Sequence, residues 1–349
     1  MTDIYGICNE RFEKVREALA ESLDGIDVGA SAAVYLDGEP VVDLWGGYTD
    51  AARTRPWERD TIVNVWSTTK PMTALCVLIL ADRGALDLDA PVAKYWPEFS
   101  ARDVLVRHVL AHSAGLPEWD VPVSVEDLYD WPKVTGLLAA QAPRWEPGTV
   151  PAYHVVTQGF LLGEVVRRVT GRTLGTFFAE EVAGPLGADF HIGLPPAHHG
   201  RVADLIPEPD ATPFPGEPPN PVVTVADANS AAWREAEIPA GNGHGNARAI
   251  AAVQSVLPLL SREMCERVLE VQVRGVDQVL GVRMAYGLGY SVNGRTCMWG
   301  GRGGSLVMVD LDARMVVAYA MNQMLERLTG DERGLSIVFA AYDGLSRSR

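Results

Sequence analysis

Residues that favour β-strands are concentrated at the two ends of the 349-residue chain, with helix-favouring residues between them. Near the N-terminus, GASAAVYL and EPVVDLWGG flank an Asp37-Gly38 pair, which predicts a β-hairpin. In the last third, MAYGLGYSVNG and GGSLVMVDLDARMVVAYAMN predict two or three antiparallel strands. Because strands need partners, this distribution predicts one sheet built from both chain ends, covered by helices and interrupted by a helical insertion.

Helical patterns and Pro-rich loops alternate between these strand regions. Residues 9–25 and the stretch TALCVLILADRGAL predict helices, the second buried because it is apolar on nearly every face. VRHVLAHSAGL, VTQGFLLGEVVRRVTG, ARAIAAVQSVLPLL and GLSIVFAAYDGL predict further helices, and the Pro-rich residues 204–223 predict an extended connection. We expect an α/β (α+β) fold, with a sheet-and-helix domain of residues 1–64 and 240–349 and a mainly helical inserted domain of residues 65–239. The active site should lie between the two domains.

Charge and cysteine content narrow the class of partner and the compartment. The formal net charge of −15 argues against a nucleic-acid partner, since phosphate binding requires clustered Lys and Arg. The N-terminal sequence MTDIYGICNERFEKV is polar and charged, and no run of about 18 apolar residues occurs, so neither a secretory signal nor a membrane span is expected. Four dispersed cysteines without a CxxC pair favour free thiols. These features predict a soluble, cytoplasmic protein.

The stretch VWSTTKPMTAL places Ser67 three residues before Lys70, at the start of a predicted helix. Residues i and i+3 share a helix face, so the Lys70 amine could reach the Ser67 hydroxyl and accept its proton. The apolar residues that follow would bury the amine and lower its pKa, and free N–H groups at the helix start would stabilise developing negative charge. An ordinary helix start is the alternative, because Ser is a common N-cap and Pro is common in a first turn.

The order of segments around Ser67 resembles the serine β-lactamase-like superfamily. TIVNVW precedes the Ser-x-x-Lys motif, and VRHVLAHSAGLP and RWEPGTVPAYHVVTQGFLLGEVVRRVTGRTL follow it, so the resemblance covers most of the chain. It is greatest to the family VIII carboxylesterases and their class C β-lactamase and DD-peptidase relatives. The resemblance implies an antiparallel sheet flanked by helices plus a mainly helical domain. It also implies that Ser67 is the acyl-forming nucleophile, Lys70 its partner, and Tyr153 the tyrosine that exchanges a proton with both.

A third motif that the resemblance implies lies on a strand lining the site. Lactamases have K-T-G there, and the corresponding stretch of this chain is Trp299, Gly300 and Gly301, followed by Arg302. The resemblance implies that the backbone N–H groups of Ser67 and Arg302 form the oxyanion hole. A strand end with a bulge is the alternative for the glycines, and a buried core tyrosine is the alternative for Tyr153.

Two departures from the lactamase motifs argue against efficient β-lactamase or DD-peptidase activity. The motif Y-x-N is replaced by Tyr153-His154-Val155, and Val155 has no amide to offer to a β-lactam side chain. Trp299 replaces the Lys of K-T-G, which can attract the carboxylate of a penicillin or of a peptide C-terminus. Both changes suit a neutral ester. His154 is a further candidate for substrate contact, with a surface or core histidine as the alternative.

Other catalytic and binding motifs are incomplete. AHSAG lacks the first Gly of G-x-S-x-G and the strand before it, so Ser113 is interpreted as a helix-end residue and His112 as structural. His198 and His199 are adjacent, and neither HExxH nor a Cys/His cluster occurs, which predicts no metal site. GRGG lacks the spacing of a phosphate loop, and His244 is interpreted as part of a Gly-rich turn.

The combined features predict a serine hydrolase that cleaves a small-molecule carboxylic ester through a Ser67 acyl-enzyme, without a metal or cofactor. An acyltransferase, or an enzyme that hydrolyses or forms an amide, would use the same intermediate. A non-catalytic ligand-binding relative is a third hypothesis. The aromatic residues Trp119, Tyr129 and Trp131 could line an apolar substrate pocket or pack in the core.

Overall fold

The main sheet is built from both ends of the chain in the computed structural model, which describes residues 2–208, 218–257, 260–325 and 327–346. The strands are β1 Ile4–Cys8, β2 Gly29–Leu36, β3 Glu39–Gly47, β4 Val63–Asn64, β5 His244–Gly245, β6 Val273–Val276, β7 Arg283–Tyr286, β8 Ser291–Asn293, β9 Thr296–Gly300, β10 Leu306–Asp310 and β11 Met315–Met321. Over the described residues, β4 and β5 pair separately, and the other nine form one antiparallel sheet in the order β1-β3-β2-β11-β10-β9-β8-β7-β6. The pairing of β2 with β11 joins the two ends of the chain, as predicted.

The helices cover the sheet and fill the middle of the sequence. They are α1 Glu13–Gly25, α2 Lys70–Asp82, α3 Val92–Tyr95, α4 Val106–Leu110, α5 Trp131–Ala140, α6 Thr157–Thr170, α7 Leu174–Phe178, α8 Gly184–Leu186, α9 Val225–Ala228, α10 Ala231–Glu235, α11 Ala247–Gln254, α12 Arg262–Leu269 and α13 Glu332–Ser346. Short 3-10 helices span Glu10–Phe12, Trp66–Thr69, Glu126–Tyr129 and Pro196–Arg201, and a π-helical turn spans Ala179–Ala183. Helices α2 to α10 all lie within residues 65–239, and the main-sheet strands lie outside that range. The division into two domains stays a prediction.

The centre of the main sheet is buried along nearly the whole length of its strands. Every residue of β10 and β11 is buried, as are all but the last of β2. Helix α13 packs on β10 and β11, while α11 packs on β2 and β11. Strands covered in this way bury successive residues, which explains why they are apolar runs and not alternating patterns.

Local sequence signals account for some strands and not for others. Asp37 and Gly38 have φ values of 52° and 84° and connect β2 to β3 in a two-residue turn, which confirms the predicted hairpin. The expectation of two or three strands in the last third is wrong, because the sheet takes six strands, β6 to β11, from that region. Strands β6 to β8 have only three or four residues each, too few for a clear alternating pattern.

Two other predicted elements are shorter in the structure. The helix predicted in VRHVLAHSAGL ends at Leu110, and His112 adopts a left-handed φ of 53°. TIVNVW contributes only the two-residue strand β4. Residues 209–217 of the predicted Pro-rich connection and residues 258–259 at the end of ARAIAAVQSVLPLL lie outside the described residues.

Two further properties concern the described residues. Among the described residues, no helix is both long enough and apolar enough to cross a bilayer. The four cysteines, Cys8, Cys76, Cys265 and Cys297, are free thiols.

Candidate active site

Ser67 lies in a tight turn between β4 and α2. The bulky residue before it, Trp66, has a φ of 46°, a conformation that a side chain of this size adopts only when its surroundings impose it. Two backbone N–H groups just before Ser67 are hydrogen-bonded: the Trp66 N–H donates to Asn64 Oδ1 at 3.0 Å, and the Val65 N–H donates to the carbonyl of Gly243 at 2.9 Å. The side chain of Ser67 is largely buried and lines a small cavity.

Lys70 begins α2, and its side chain reaches back to Ser67. The amine is fully buried and lies 3.1 Å from Ser67 Oγ and 2.9 Å from the Tyr153 hydroxyl. It also donates to the backbone carbonyl oxygens of Val155 at 2.6 Å and Ala240 at 3.0 Å. The sequence spacing therefore brings the amine and the hydroxyl together, as predicted for residues that share a helix face.

The surroundings of Lys70 favour its neutral form. Burial lowers the pKa of the amine well below its ordinary value. The carbonyls of Val155 and Ala240 can only accept hydrogen bonds, so they take both N–H groups of a neutral amine. The remaining lone pair is then left for a hydroxyl, which is the arrangement that a base requires.

Tyr153 completes the polar contacts of Ser67. Its hydroxyl is hydrogen-bonded to Ser67 Oγ and to the Lys70 amine, and its side chain is almost fully buried. Burial raises the pKa of the phenol well above its ordinary value, so the group keeps its proton near neutral pH. A protonated phenol can accept one proton and release another, and can therefore relay a proton between Ser67 and Lys70.

The end of β9 packs directly against the Ser67 turn. A Cβ on Gly301 would lie 2.3 Å from the Val65 carbonyl oxygen, so only glycine fits there. Close to it, the Thr68 hydroxyl donates to Ser305 Oγ at 2.9 Å, and the Ser305 hydroxyl donates to the Val65 carbonyl at 2.8 Å. Sequence reasoning did not identify Ser305, because nothing in GGSL indicates a contact with a turn 240 residues earlier.

A cavity of about 60 Å³ lies beside Ser67. Among the predicted site residues, Ser67, Tyr153 and Arg302 line it, together with mainly apolar side chains. The Arg302 guanidinium lies 5.4 Å from the Trp66 ring and donates to the Val223 carbonyl at 3.0 Å. The predicted site residues that do not line it are Lys70, Trp299, Gly300, Gly301 and His154.

Trp299 and His154 lie behind the cavity wall. Trp299 is buried, with its ring 5.7 Å from that of Tyr153. His154 is fully buried, and its two ring nitrogens contact the Ala152 carbonyl at 2.7 Å and the Leu116 N–H at 3.3 Å. Burial also lowers the pKa of His154 to about 4. The expectation that His154 contacts substrate is therefore corrected: it is a neutral core histidine, the alternative that the sequence left open.

The aromatic candidates for a substrate pocket are not at Ser67. Tyr129 and Trp131 line a separate cavity of about 520 Å³ beside α5 and α6, and Trp119 is buried in the core.

Ser113 follows the short helix α4 and donates to the His108 carbonyl at 3.3 Å, so the strand–turn–helix context of a nucleophile elbow is missing there. His244 is buried, with Nδ1 against the Asn242 carbonyl. Within the described residues, no group of three or more His, Cys, Asp or Glu side chains is arranged to hold a metal ion.

An antiparallel sheet flanked by helices, with a buried Ser–Lys–Tyr arrangement at the start of α2, defines a β-lactamase-like serine hydrolase. The chain belongs to the β-lactamase family, whose sequence model, described as "Beta-lactamase", matches residues 16–341. This confirms the resemblance and the predicted fold class.

Individual relatives carry the names of esterases, lactamases and penicillin-binding proteins. The chain is 35% identical over 369 residues to "Esterase/beta-lactamase LipL" of Mycobacterium tuberculosis, covering 93% of this chain and 84% of the relative. A "family VIII carboxylesterase" crystal structure is 42% identical, with a TM-score of 0.92 and coverage of 98% of this chain and 100% of that chain. A penicillin-binding protein homolog from Caulobacter crescentus is 37% identical, with a TM-score of 0.91 and the same coverage.

Proposed function

We propose that the protein cleaves small-molecule carboxylic esters through a covalent acyl-enzyme on Ser67. The observation that carries this proposal is the buried contact of Ser67 Oγ with a phenol and with an amine that also contacts two backbone carbonyls. The similarity to proteins named esterase and carboxylesterase supports an ester as the substrate.

Acylation requires that Ser67 donates its proton towards the Tyr153 oxygen and that Tyr153 donates its proton towards the lone pair of a neutral Lys70 amine. Ser67 Oγ attacks the ester carbonyl carbon while its proton passes to the Tyr153 oxygen and the Tyr153 proton passes to the lone pair of Lys70. The carbonyl π electrons move to the oxygen and form an oxyanion. When the oxyanion collapses, the bond to the alcohol oxygen breaks, and the relay runs backwards to protonate the leaving alcohol. Water then attacks the acyl-enzyme with the same relay and releases the acid.

The oxyanion would be held by the backbone N–H groups of Ser67 and Arg302. The close packing of Gly301 on the Val65 carbonyl supports this assignment, because it brings the end of β9 against the turn that carries Ser67. Two preorganised N–H donors in a buried site stabilise a developing oxyanion far more than water does.

Neutral esters suit this site better than β-lactams do. The Val155 side chain lines the cavity where lactamases have an Asn amide, and Trp299 stands in place of the lactamase Lys and lies behind Tyr153. Neither side chain offers a charged partner to a carboxylate. Transfer of the acyl group to an alcohol or amine would use the same intermediate and stays a prediction. A cytoplasmic location also stays a prediction.

Covalent labelling tests the nucleophile. A p-nitrophenyl alkylphosphonate ester is expected to add one phosphonyl group per chain by intact mass, with loss of ester hydrolysis in proportion. Peptide mapping should place the group on Ser67, because a base and a proton relay lie within reach of its oxygen. An adduct on a different residue that accompanies the loss of activity would refute the assignment.

The cavity volume predicts a preference for short acyl groups. The space beside Ser67, about 60 Å³, is small and is lined mainly by apolar side chains. We expect kcat/KM for p-nitrophenyl acetate or butyrate to exceed that for the decanoate by about tenfold or more. The variant Val156→Ala, which enlarges the cavity without changing its polar side chains, should reduce this preference. A higher kcat/KM for the decanoate in the unmodified protein would contradict the prediction.

A further inference from the structure

His112 lies in the core behind Tyr153 and is not part of the proton relay. It follows α4, is fully buried and has a φ of 53°. Histidine, like Asn and Asp, enters this left-handed conformation more readily than most residues. Its sequence context, AHSAG, indicates only a structural residue at a helix end.

The backbone on both sides of Tyr153 is hydrogen-bonded to His112. The Ala152 N–H donates to the His112 carbonyl at 2.9 Å, and the His154 N–H donates to His112 Nδ1 at 3.0 Å. Residues 151–154 form neither helix nor strand, so no ladder of regular hydrogen bonds fixes this segment. A single residue therefore anchors the chain immediately before and immediately after the tyrosine.

The His112 ring also supports the side chains around the phenol. Its centroid lies 5.2 Å from the Tyr153 ring, 5.0 Å from the Tyr286 ring and 5.1 Å from the Trp299 ring, on which it stacks at 21°. Burial holds the pKa of His112 well below its ordinary value, so the ring is neutral. Nδ1 accepts the His154 N–H, and Nε2 lies 3.2 Å from the amide nitrogen of Gln158.

We propose that His112 is a positioning residue for Tyr153, which holds the phenol oxygen within reach of both Ser67 Oγ and the Lys70 amine. The proposal rests on the proposed role of Tyr153 in proton transfer. His112 acts through the backbone at Ala152 and His154 and does not line the cavity beside Ser67. Displacing a catalytic group by about 1 Å can cost on the order of 100-fold in rate.

Two substitutions at His112 distinguish the effect of losing the hydrogen-bond acceptor from the effect of disturbing the left-handed backbone conformation. His112→Gly removes the acceptor and accepts the positive φ, while His112→Asn keeps an acceptor close to Nδ1 and also accepts that φ. We expect His112→Gly to lower kcat for p-nitrophenyl butyrate by about 100-fold with KM little changed. His112→Asn should recover about tenfold or more of that loss. His112→Ala replaces the glycine variant if the latter does not fold, as judged by denaturant unfolding.

A double-mutant cycle with Tyr153→Phe distinguishes positioning from general structural support. If His112 acts through the phenol oxygen, His112→Gly should lower kcat little further in the Tyr153→Phe background. The matched control is His108→Ala, since His108 is a buried histidine of α4, just before His112, and its Nδ1 accepts the Leu105 N–H at 3.2 Å. That variant should lower the free energy of unfolding without this coupling.

The outcomes separate the two proposals. Equal kcat for folded glycine and asparagine variants, or full additivity in the cycle, overturns the positioning role and leaves the Ser67 acyl-enzyme intact. If Tyr153→Phe itself leaves kcat unchanged, the proposed relay is wrong and the positioning role is wrong with it.

Discussion

Replacing Ser67 with Ala is expected to lower kcat for ester hydrolysis by about four to six orders of magnitude and to abolish phosphonate labelling. The substitution removes the only atom that can carry the acyl group in the proposed mechanism, and single removal of a serine nucleophile has effects of this size. The measurement is steady-state hydrolysis of p-nitrophenyl butyrate, with intact mass after phosphonate treatment. Active-site titration of each preparation excludes traces of unmodified enzyme.

The matched control for this substitution is Ser113→Ala. Ser113 is the serine of AHSAG, the nearest match to a nucleophile elbow, and its hydroxyl donates to the His108 carbonyl. We expect this variant to be labelled at Ser67 and to keep kcat close to that of the unmodified protein. Normal activity in Ser67→Ala, or loss of labelling in Ser113→Ala, would show that Ser67 is not the nucleophile and would refute the acyl-enzyme assignment.

The predictable parts of the fold are those that short stretches of sequence determine. The Asp37-Gly38 turn and the apolar run of α2 carry their own signals, and both appear where predicted. Strand β1 was not predicted, because its central residues are exposed and it exists only through pairing with β3, about forty residues away. Strands β6 to β8 are similarly too short to be recognised before their partners are known.

The contacts of the site are likewise of two kinds: local ones, which sequence spacing predicts, and distant ones, which it does not. The approach of Lys70 to Ser67 follows from i, i+3 spacing, whereas Tyr153 is 86 residues from Ser67 and was assigned through resemblance alone. Backbone acceptors such as the Ala240 carbonyl carry no sequence signature. His154 was expected near substrate because it adjoins Tyr153, but in this irregular segment the two side chains point to different neighbours.

Replacing Lys70 with Met is expected to lower kcat by about three orders of magnitude, the middle of the range for loss of a general base. Met is close to Lys in length but has no lone pair to accept the Tyr153 proton. The measurement is single-turnover acylation by p-nitrophenyl butyrate, which isolates the step from deacylation. Lys94→Met, at an exposed lysine of α3, is the control and should acylate normally.

The variant Lys70→Met also tests whether Lys70 is charged in the folded protein, through the pH dependence of the free energy of unfolding. The pKa of the folded amine is lowered by burial, whereas in the unfolded chain it is about 10.4. Between these two values the unfolded state binds one more proton than the folded state, so this group makes the free energy of unfolding rise with pH, by up to about 1.4 kcal/mol per pH unit.

Lys70→Met lacks this proton, so the free energy of unfolding of the unmodified protein minus that of the variant should increase as the pH is raised from 7 to 10. Other titrating groups are common to both proteins and cancel in this difference. Urea unfolding at each pH measures it, and Lys94→Met should show no such trend. A difference that stays constant over this range would mean that Lys70 is charged in the folded protein, and a charged amine has no lone pair with which to accept the proton of Ser67 through Tyr153.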